Sequence, residues 1–176
     1  MIAENINIHQ LLPSSEVNGP GKRFVVWLQG CPLNCSGCFN PLTHGSQGIL
    51  MKISDLAEQI NRTKDIRGLT LSGGEPLFQL DAIKQLIRLT DKRLDILLFS
   101  GYSWDEVVKD SAKKQVLQMV DAALLGRYNQ ELSHPFRGKK LVLRGGRIKP
   151  DELKPWLSTE IVLSGDKVQI TGLYKK

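Results

Sequence analysis

Apolar positions along the chain fall into short unbroken runs separated by stretches in which they recur every third or fourth residue. The run Phe24-Val25-Val26-Trp27-Leu28-Gln29 leaves no solvated face and predicts a buried strand. Leu69 to Leu71, Leu94 to Phe99, Ala122 to Leu124 and Leu141 to Leu143 predict four more. Helices are expected between them. Ser54 is a candidate cap for a helix through about Asn61, and Asp81 opens an amphipathic pattern with Ile83, Leu86 and Ile87 on one face. Ser103-Trp104-Asp105-Glu106 has the form of a capping box. The tail from Glu160 to Gly172 predicts a β-hairpin about Gly165-Asp166. Strands alternating with helices imply parallel β/α units. A closed eight-unit barrel takes about 250 residues, so 176 residues predict a partial, open (β/α) barrel of α/β class with a C-terminal β-hairpin.

Length and composition narrow the class. With 41% apolar residues the chain supports one core, and residues 1–176 are expected to form a single domain. No apolar stretch approaches the roughly eighteen residues of a membrane span, and the start, Met1-Ile2-Ala3-Glu4-Asn5, lacks the features of a signal peptide. A cytoplasmic protein with no membrane partner is expected. The net charge of +6 is concentrated late, in Arg137, Lys139, Lys140, Arg144, Arg147 and Lys149. Such a run predicts a solvated face, or a surface for an acidic partner. The run lacks the aromatic interleaving that stacks bases, which argues against nucleic acid.

Three cysteines, Cys31, Cys35 and Cys38, are the only ones in the chain. Their C-x3-C-x2-C spacing suits three irons of a cubic cluster, and there is no fourth cysteine to close the set. An iron left without a protein ligand can chelate a small molecule. The competing structural reading is zinc completed by His44, although zinc patterns pair C-x2-C with a second, distant pair. A disulfide is weaker still, because three cysteines cannot all pair. Downstream, the strand ending at Leu71 runs into Ser72-Gly73-Gly74-Glu75-Pro76. Glycines there let backbone groups approach a ligand, and the carboxylate can pair with an ammonium. Both segments, with Ser100-Gly101-Tyr102, fall at the C-terminal ends of predicted strands, the functional end of such folds.

On these motifs the chain resembles the radical S-adenosylmethionine (radical SAM) superfamily, whose signature is C-x3-C-x2-C after the first barrel strand and G-G-E after the second. The resemblance implies a radical SAM type barrel in which Cys31, Cys35 and Cys38 bind a [4Fe-4S] cluster. It further implies that S-adenosylmethionine chelates the open iron and that Gly73, Gly74 and Glu75 receive its ammonium. Ser100 and Tyr102 are candidates to bond the cofactor beside Gly101. Many members carry an aromatic residue where this chain has Gly37, and Phe39 is the candidate to pack on the adenine instead.

Val17-Asn18-Gly19-Pro20-Gly21-Lys22-Arg23, Cys35-Ser36-Gly37-Cys38-Phe39-Asn40 and Phe99-Ser100-Gly101-Tyr102 narrow the resemblance to glycyl-radical activases, above all the anaerobic ribonucleotide reductase activating enzymes. Two departures stand out. Leu125 precedes Gly126-Arg127 where those activases have aspartate. After Pro-Phe-Arg-Gly at 135–138 the chain continues Lys139-Lys140-Leu141-Val142 instead of Ser-Ser-Asn-Gln.

The implied chemistry needs an external one-electron reductant and ends in hydrogen abstraction by a 5′-deoxyadenosyl radical from a peptide or protein that completes the open side. Two substrates fit. One is a glycine of a large partner enzyme, left as a glycyl radical. The other is a ribosomally made precursor peptide, modified as by small splicease-like enzymes that excise tyramine, with a separate peptide-binding partner protein. The altered segment from Leu125 to Lys140 and the basic run favour the second. A non-catalytic iron–sulfur or zinc binding module is the alternative from another class.

Overall fold

The computed structural model describes residues 3–131, 138–153, 159–164 and 167–172. Its centre is a seven-stranded mixed sheet in the order β3-β1-β2-β4-β5-β6-β7. The strands are β1 (Asn5–Ser15), β2 (Arg23–Leu28), β3 (Ile49–Lys52), β4 (Gly68–Gly73), β5 (Asp95–Ser100), β6 (Ala122–Leu125) and β7 (Lys140–Leu143). β2, β4, β5 and β6 run parallel, in three β/α units as the alternation predicts. The remaining three are antiparallel additions: β1 to β2, β3 to β1, and β7 to β6. Expecting Leu141 to Leu143 to continue the parallel series is therefore corrected. The strand returns against β6, with Leu125 opposite Lys140.

The crossovers are α1 (Ile53–Arg62), α2 (Leu80–Leu89), and the pair α3 (Trp104–Lys109) and α4 (Ser111–Leu117). Ser54 does not cap α1: Lys52 holds the cap position, and the Ser54 hydroxyl bonds Asp55 instead. The capping box at Ser103 is present, with both reciprocal bonds to Glu106. α2 buries Ile83, Leu86 and Ile87 as its periodicity requires.

Alternation along the parallel strands sorts the sheet into two faces. Phe24, Val26 and Leu28, Leu69 and Leu71, Ile96 and Leu98, Ala123 and Leu125 join the helices' apolar residues in one core. The opposite face carries Arg23, Val25 and Trp27, Thr70 and Ser72, Asp95, Leu97 and Phe99. At the N-terminal end of that face Arg23, with no exposed surface, pairs with Asp95 at 2.6 Å. It also donates to Thr70 Oγ1 (2.8 Å) and to the carbonyls of Pro20, Leu69 and Asp95. Asp95 takes a second cation, Arg67, at 2.8 Å. This plug explains much of the segment 17–23: Thr70 bonds the Asn18 carbonyl, and Gly19, at φ +140°, lies where a Cβ would strike the Arg23 side chain.

Two further strands, β8 (Thr159–Ser164) and β9 (Lys167–Gly172), pair antiparallel as a separate two-stranded sheet. The expected turn at Gly165-Asp166 lies outside the described residues, as does Arg137. Among the described residues, no helix is long and apolar enough to cross a membrane. The described part of the basic run does not make one face. Lys140 lies over the Trp104 ring at 4.3 Å, Arg147 approaches Asp121 at 3.7 Å, and Lys139 turns inward.

Candidate functional site

The C-terminal ends of β2, β4 and β5 border one cleft. Trp27, Ser72 and Phe99 from the inner face line it, together with Cys31, Cys35, Cys38, Phe39, Gly73, Gly74, Glu75, Ser100 and Gly101. Nine of the ten residues singled out in the sequence therefore meet at one place. Tyr102 does not line the cleft. Its ring packs against the helix-side core, with the Lys113 ammonium 4.7 Å and the Arg127 guanidinium 5.5 Å from its centroid.

The cysteine loop is anchored at its base. Gly30 N–H donates to the Thr43 carbonyl (2.8 Å) and Cys31 N–H to that of His44 (3.3 Å), while the Gln29 amide donates to Leu42 and Gly45. Cys38 N–H closes a turn onto the Cys35 carbonyl at 3.2 Å. Gly37 takes φ +63°, and a Cβ there would overlap the Gln130 side chain. The position that carries an aromatic residue in many radical SAM proteins is thus filled by Gln130. Phe39 lines the cleft with its ring tilted against Tyr128, centroids 6.4 Å apart.

The end of β4 is fitted against the same base. Gly74 N–H donates to the Leu28 carbonyl (2.8 Å) and Glu75 N–H to that of Gly30 (2.9 Å). A Cβ on Gly74 would stand 2.4 Å from the Gly30 carbonyl oxygen, and one on Gly73, at φ +104°, would strike the Leu28 backbone. Glycine is required at both positions by backbone contact.

Glu75 has no exposed surface. Its Oε1 accepts from Leu77 N–H (2.9 Å) and the Ser100 hydroxyl (2.9 Å), and its Oε2 from Gly101 N–H (2.7 Å). Burial raises its pKa, and these three donors oppose the rise. An ionised carboxylate offers about four lone-pair sites, so one remains for a ligand donor. Ser100 in turn accepts from Tyr102 N–H at 3.1 Å. Its hydroxyl serves the loop's own geometry.

Tyr128 and Lys139 line the cleft without having been singled out as site residues in the sequence, and Arg127 stands behind it. Arg127 donates to the Gly101 carbonyl and to both oxygens of Glu106, which holds the Glu106 carboxyl down at about 2 and ties the loop after β5 to the end of β6. The Gly126-Arg127 pair was a visible signal for it. Lys139 had no signal beyond its departure from the expected sequence.

The donor set fits an iron–sulfur cluster. Burial pushes the Cys31 thiol up, the Leu33 backbone opposes this, and the charges of Glu75, Cys35 and Cys38 add to the rise. Metal ligation takes cysteine as the thiolate, the form that a cationic metal stabilises. No group of three or more His, Cys, Asp or Glu among the described residues is arranged around a single metal ion, so a zinc shared with His44 has no support in the geometry. A cluster instead takes its thiolates one per iron.

Residues 17–143 match the family described as "4Fe-4S single cluster domain". An anaerobic ribonucleoside-triphosphate reductase-activating protein from Escherichia coli K12 is 33% identical over 80% of this chain and 94% of its own length. The proteins of the same name from Haemophilus influenzae and phage T4 are 34% and 29% identical, covering 80% and 92% of this chain and 93% and 100% of their own. Among solved structures, QueE from Escherichia coli superposes with a TM-score of 0.41 at 17% identity, over 56% of this chain and 54% of that one, too distant to inform on the site. The matched segment spans both the cysteine loop and the glycine-glutamate turn, and the chain belongs to the 4Fe-4S single cluster domain family as a radical SAM protein of the activase type, with a [4Fe-4S] cluster and S-adenosylmethionine as its cofactors.

Proposed function

We propose that this protein is an activating enzyme that installs a glycyl radical on an anaerobic ribonucleoside-triphosphate reductase. The observation that carries the reading is the near full-length likeness to proteins named for that activation, one of them matched over 94% of its length at 33% identity. It favours activation over the precursor-peptide modification to which the altered segment after Leu125 pointed. Cys31, Cys35 and Cys38 hold the cluster. Gly73 and Gly74 present backbone to the cofactor, Glu75 offers its remaining lone pair to the ammonium, and Phe39 with Tyr128 forms the apolar wall for the adenine. Ser100 and Gly101 act through Glu75, fixing the carboxylate in the orientation the ammonium needs. When bound and reduced by an external one-electron donor, the two cofactors supply the hydrogen-abstracting radical. The sheet has β3 and β7 at its edges; on this reading it serves as a partial barrel in a single cytoplasmic domain, and the protein substrate closes its open side and excludes water.

The test is anaerobic reconstitution with iron and sulfide, followed by S-adenosylmethionine, dithionite and an anaerobic ribonucleoside-triphosphate reductase. The expected result is 5′-deoxyadenosine together with a glycyl-radical paramagnetic signal on the reductase, both lost in Cys35→Ala. Cofactor cleavage without that signal would overturn the substrate assignment. Zinc retention with no cluster would overturn the enzyme reading.

A further inference from the structure

Lys139 is the one lysine or arginine among the described residues lining the cleft. It lies just before β7, and its side chain passes over Gly126 at the end of β6. A Cβ on Gly126 would come within 3.5 Å of Lys139 Cα and 3.6 Å of its Cγ, and Gly126 takes φ +139°. The ammonium donates to the Gly126 carbonyl. No carboxylate among the described residues lies within ion-pairing distance of it. Glu75 is held by its three donors, and neighbouring Arg127 is engaged by Glu106. Burial lowers the Lys139 pKa, while the fields of Glu75 and Cys35 hold it up. A half-buried ammonium that shares the cleft with three thiols, and on which the charge of Cys35 acts, is stabilised by the negative charge that those thiols carry once they bind metal. Leu125 pairs in register with Lys140, which sets Lys139 beside the end of β6 at the mouth of the cleft.

We propose that Lys139 sets the reduction potential of the iron–sulfur cluster, its fixed positive charge favouring the more negative, reduced state. The inference rests on the reading that Cys31, Cys35 and Cys38 hold that cluster. Net charge and polarity around the sulfurs are the protein's levers on such potentials, and a cation in a low-dielectric cleft acts more strongly than one in water.

The test is a redox titration of the reconstituted protein, followed by absorbance and electron paramagnetic resonance. It is done without S-adenosylmethionine, so that contact with the cofactor cannot produce the effect. In Lys139→Met and Lys139→Gln the reduced-to-oxidised ratio at a fixed potential falls about tenfold, a shift of about 59 mV for one electron. Lys139→Arg keeps the ratio within about twofold, and so does Lys140→Met, which removes an equal charge from the Trp104 face outside the cleft. Iron and sulfide contents equal to those of the unaltered protein show that the cluster is intact. Neutral variants that leave the ratio within about twofold, or a Lys140→Met effect as large as theirs, overturn this inference alone. Failure of the unaltered protein to take up a cluster overturns both readings.

Discussion

Glu75 shows how one carboxylate holds two strand ends in place. Its oxygens draw in Leu77 N–H from its own turn and Ser100 and Gly101 from the end of β5, so the ends of β4 and β5 are fixed relative to each other through a single side chain. Because burial dominates, its folded-state pKa lies above the unfolded one near 4.5. A raised acid gives its full stabilisation below the unfolded value and loses it as pH climbs through the folded value. Ser100→Ala removes a donor to the ionised form and raises the folded pKa further. The variant should lose more at pH 7, up to about 1–3 kcal/mol where the folded carboxyl is ionised, than at about pH 3, where the carboxyl is protonated in both states. Urea denaturation at the two pH values checks this, and an equal loss at both would show that the hydroxyl does not serve the carboxylate. Glu75 was legible because G-G-E-P stands out at a strand end. Lys139 was not, since only the return of the chain over Gly126 carries its ammonium into the cleft.

At the scale of elements, the cysteine loop and the end of β4 meet backbone to backbone, and Gly74 is the tightest point. Gly74→Ala would set a methyl group 2.4 Å from the Gly30 carbonyl oxygen, which no rotamer relieves. The variant should lose about 1–3 kcal/mol of stability, as overpacking does, and bind less iron on reconstitution, because Gly30 leads directly into Cys31. Normal iron content with normal melting would mean that the strand end yields freely. The parallel strands were legible because strands covered on both faces are rich in apolar residues, as Phe24 to Leu28 is without interruption and Leu69 to Leu71 is but for Thr70. β1 was missed for the opposite reason. It buries Ile6 and Ile8 between polar residues, then shifts register before Leu12, so its alternation is too short to register. β3 has four residues with Ile49 and Leu50 exposed, and such an edge strand has no core-facing pattern to read. Direction was hidden as well. Leu141 to Leu143 reads as a strand either way, and only its pairing with β6 makes it antiparallel.

Across the whole molecule, the inner face of the sheet is sealed at one end and open at the other. Arg23, Asp95 and Arg67 close the N-terminal end, and the glycines, thiols and Lys139 stand at the C-terminal end, so chemistry and closure are separated along the strands. Breaking a buried ion pair strands its partner and costs more than the pair itself contributes, which makes the plug a device for fixing the sheet's geometry. Its outer member is Glu152, on the turn Pro150–Leu153, which bonds Arg67 and accepts from Lys149 N–H at 2.8 Å. Arg67 first and that N–H second bring the Glu152 carboxyl down to about 2, from 4.5 when unfolded. A lowered acid stabilises fully above its unfolded pKa, and this is lost as pH falls through the folded value. Glu152→Gln should therefore cost about 1 kcal/mol at pH 7, the larger nominal effect being reduced by solvent screening at this partly exposed pair. The gap should narrow through pH 4.5 and close near pH 2. Guanidinium midpoints of the cluster-free protein and the variant across that range would show it. A gap independent of pH would mean that the turn is held by packing and not by charge. The closing window, set by a group at the far end of the strands from the cysteines, would show that the plug's contribution to stability is independent of the cofactor site.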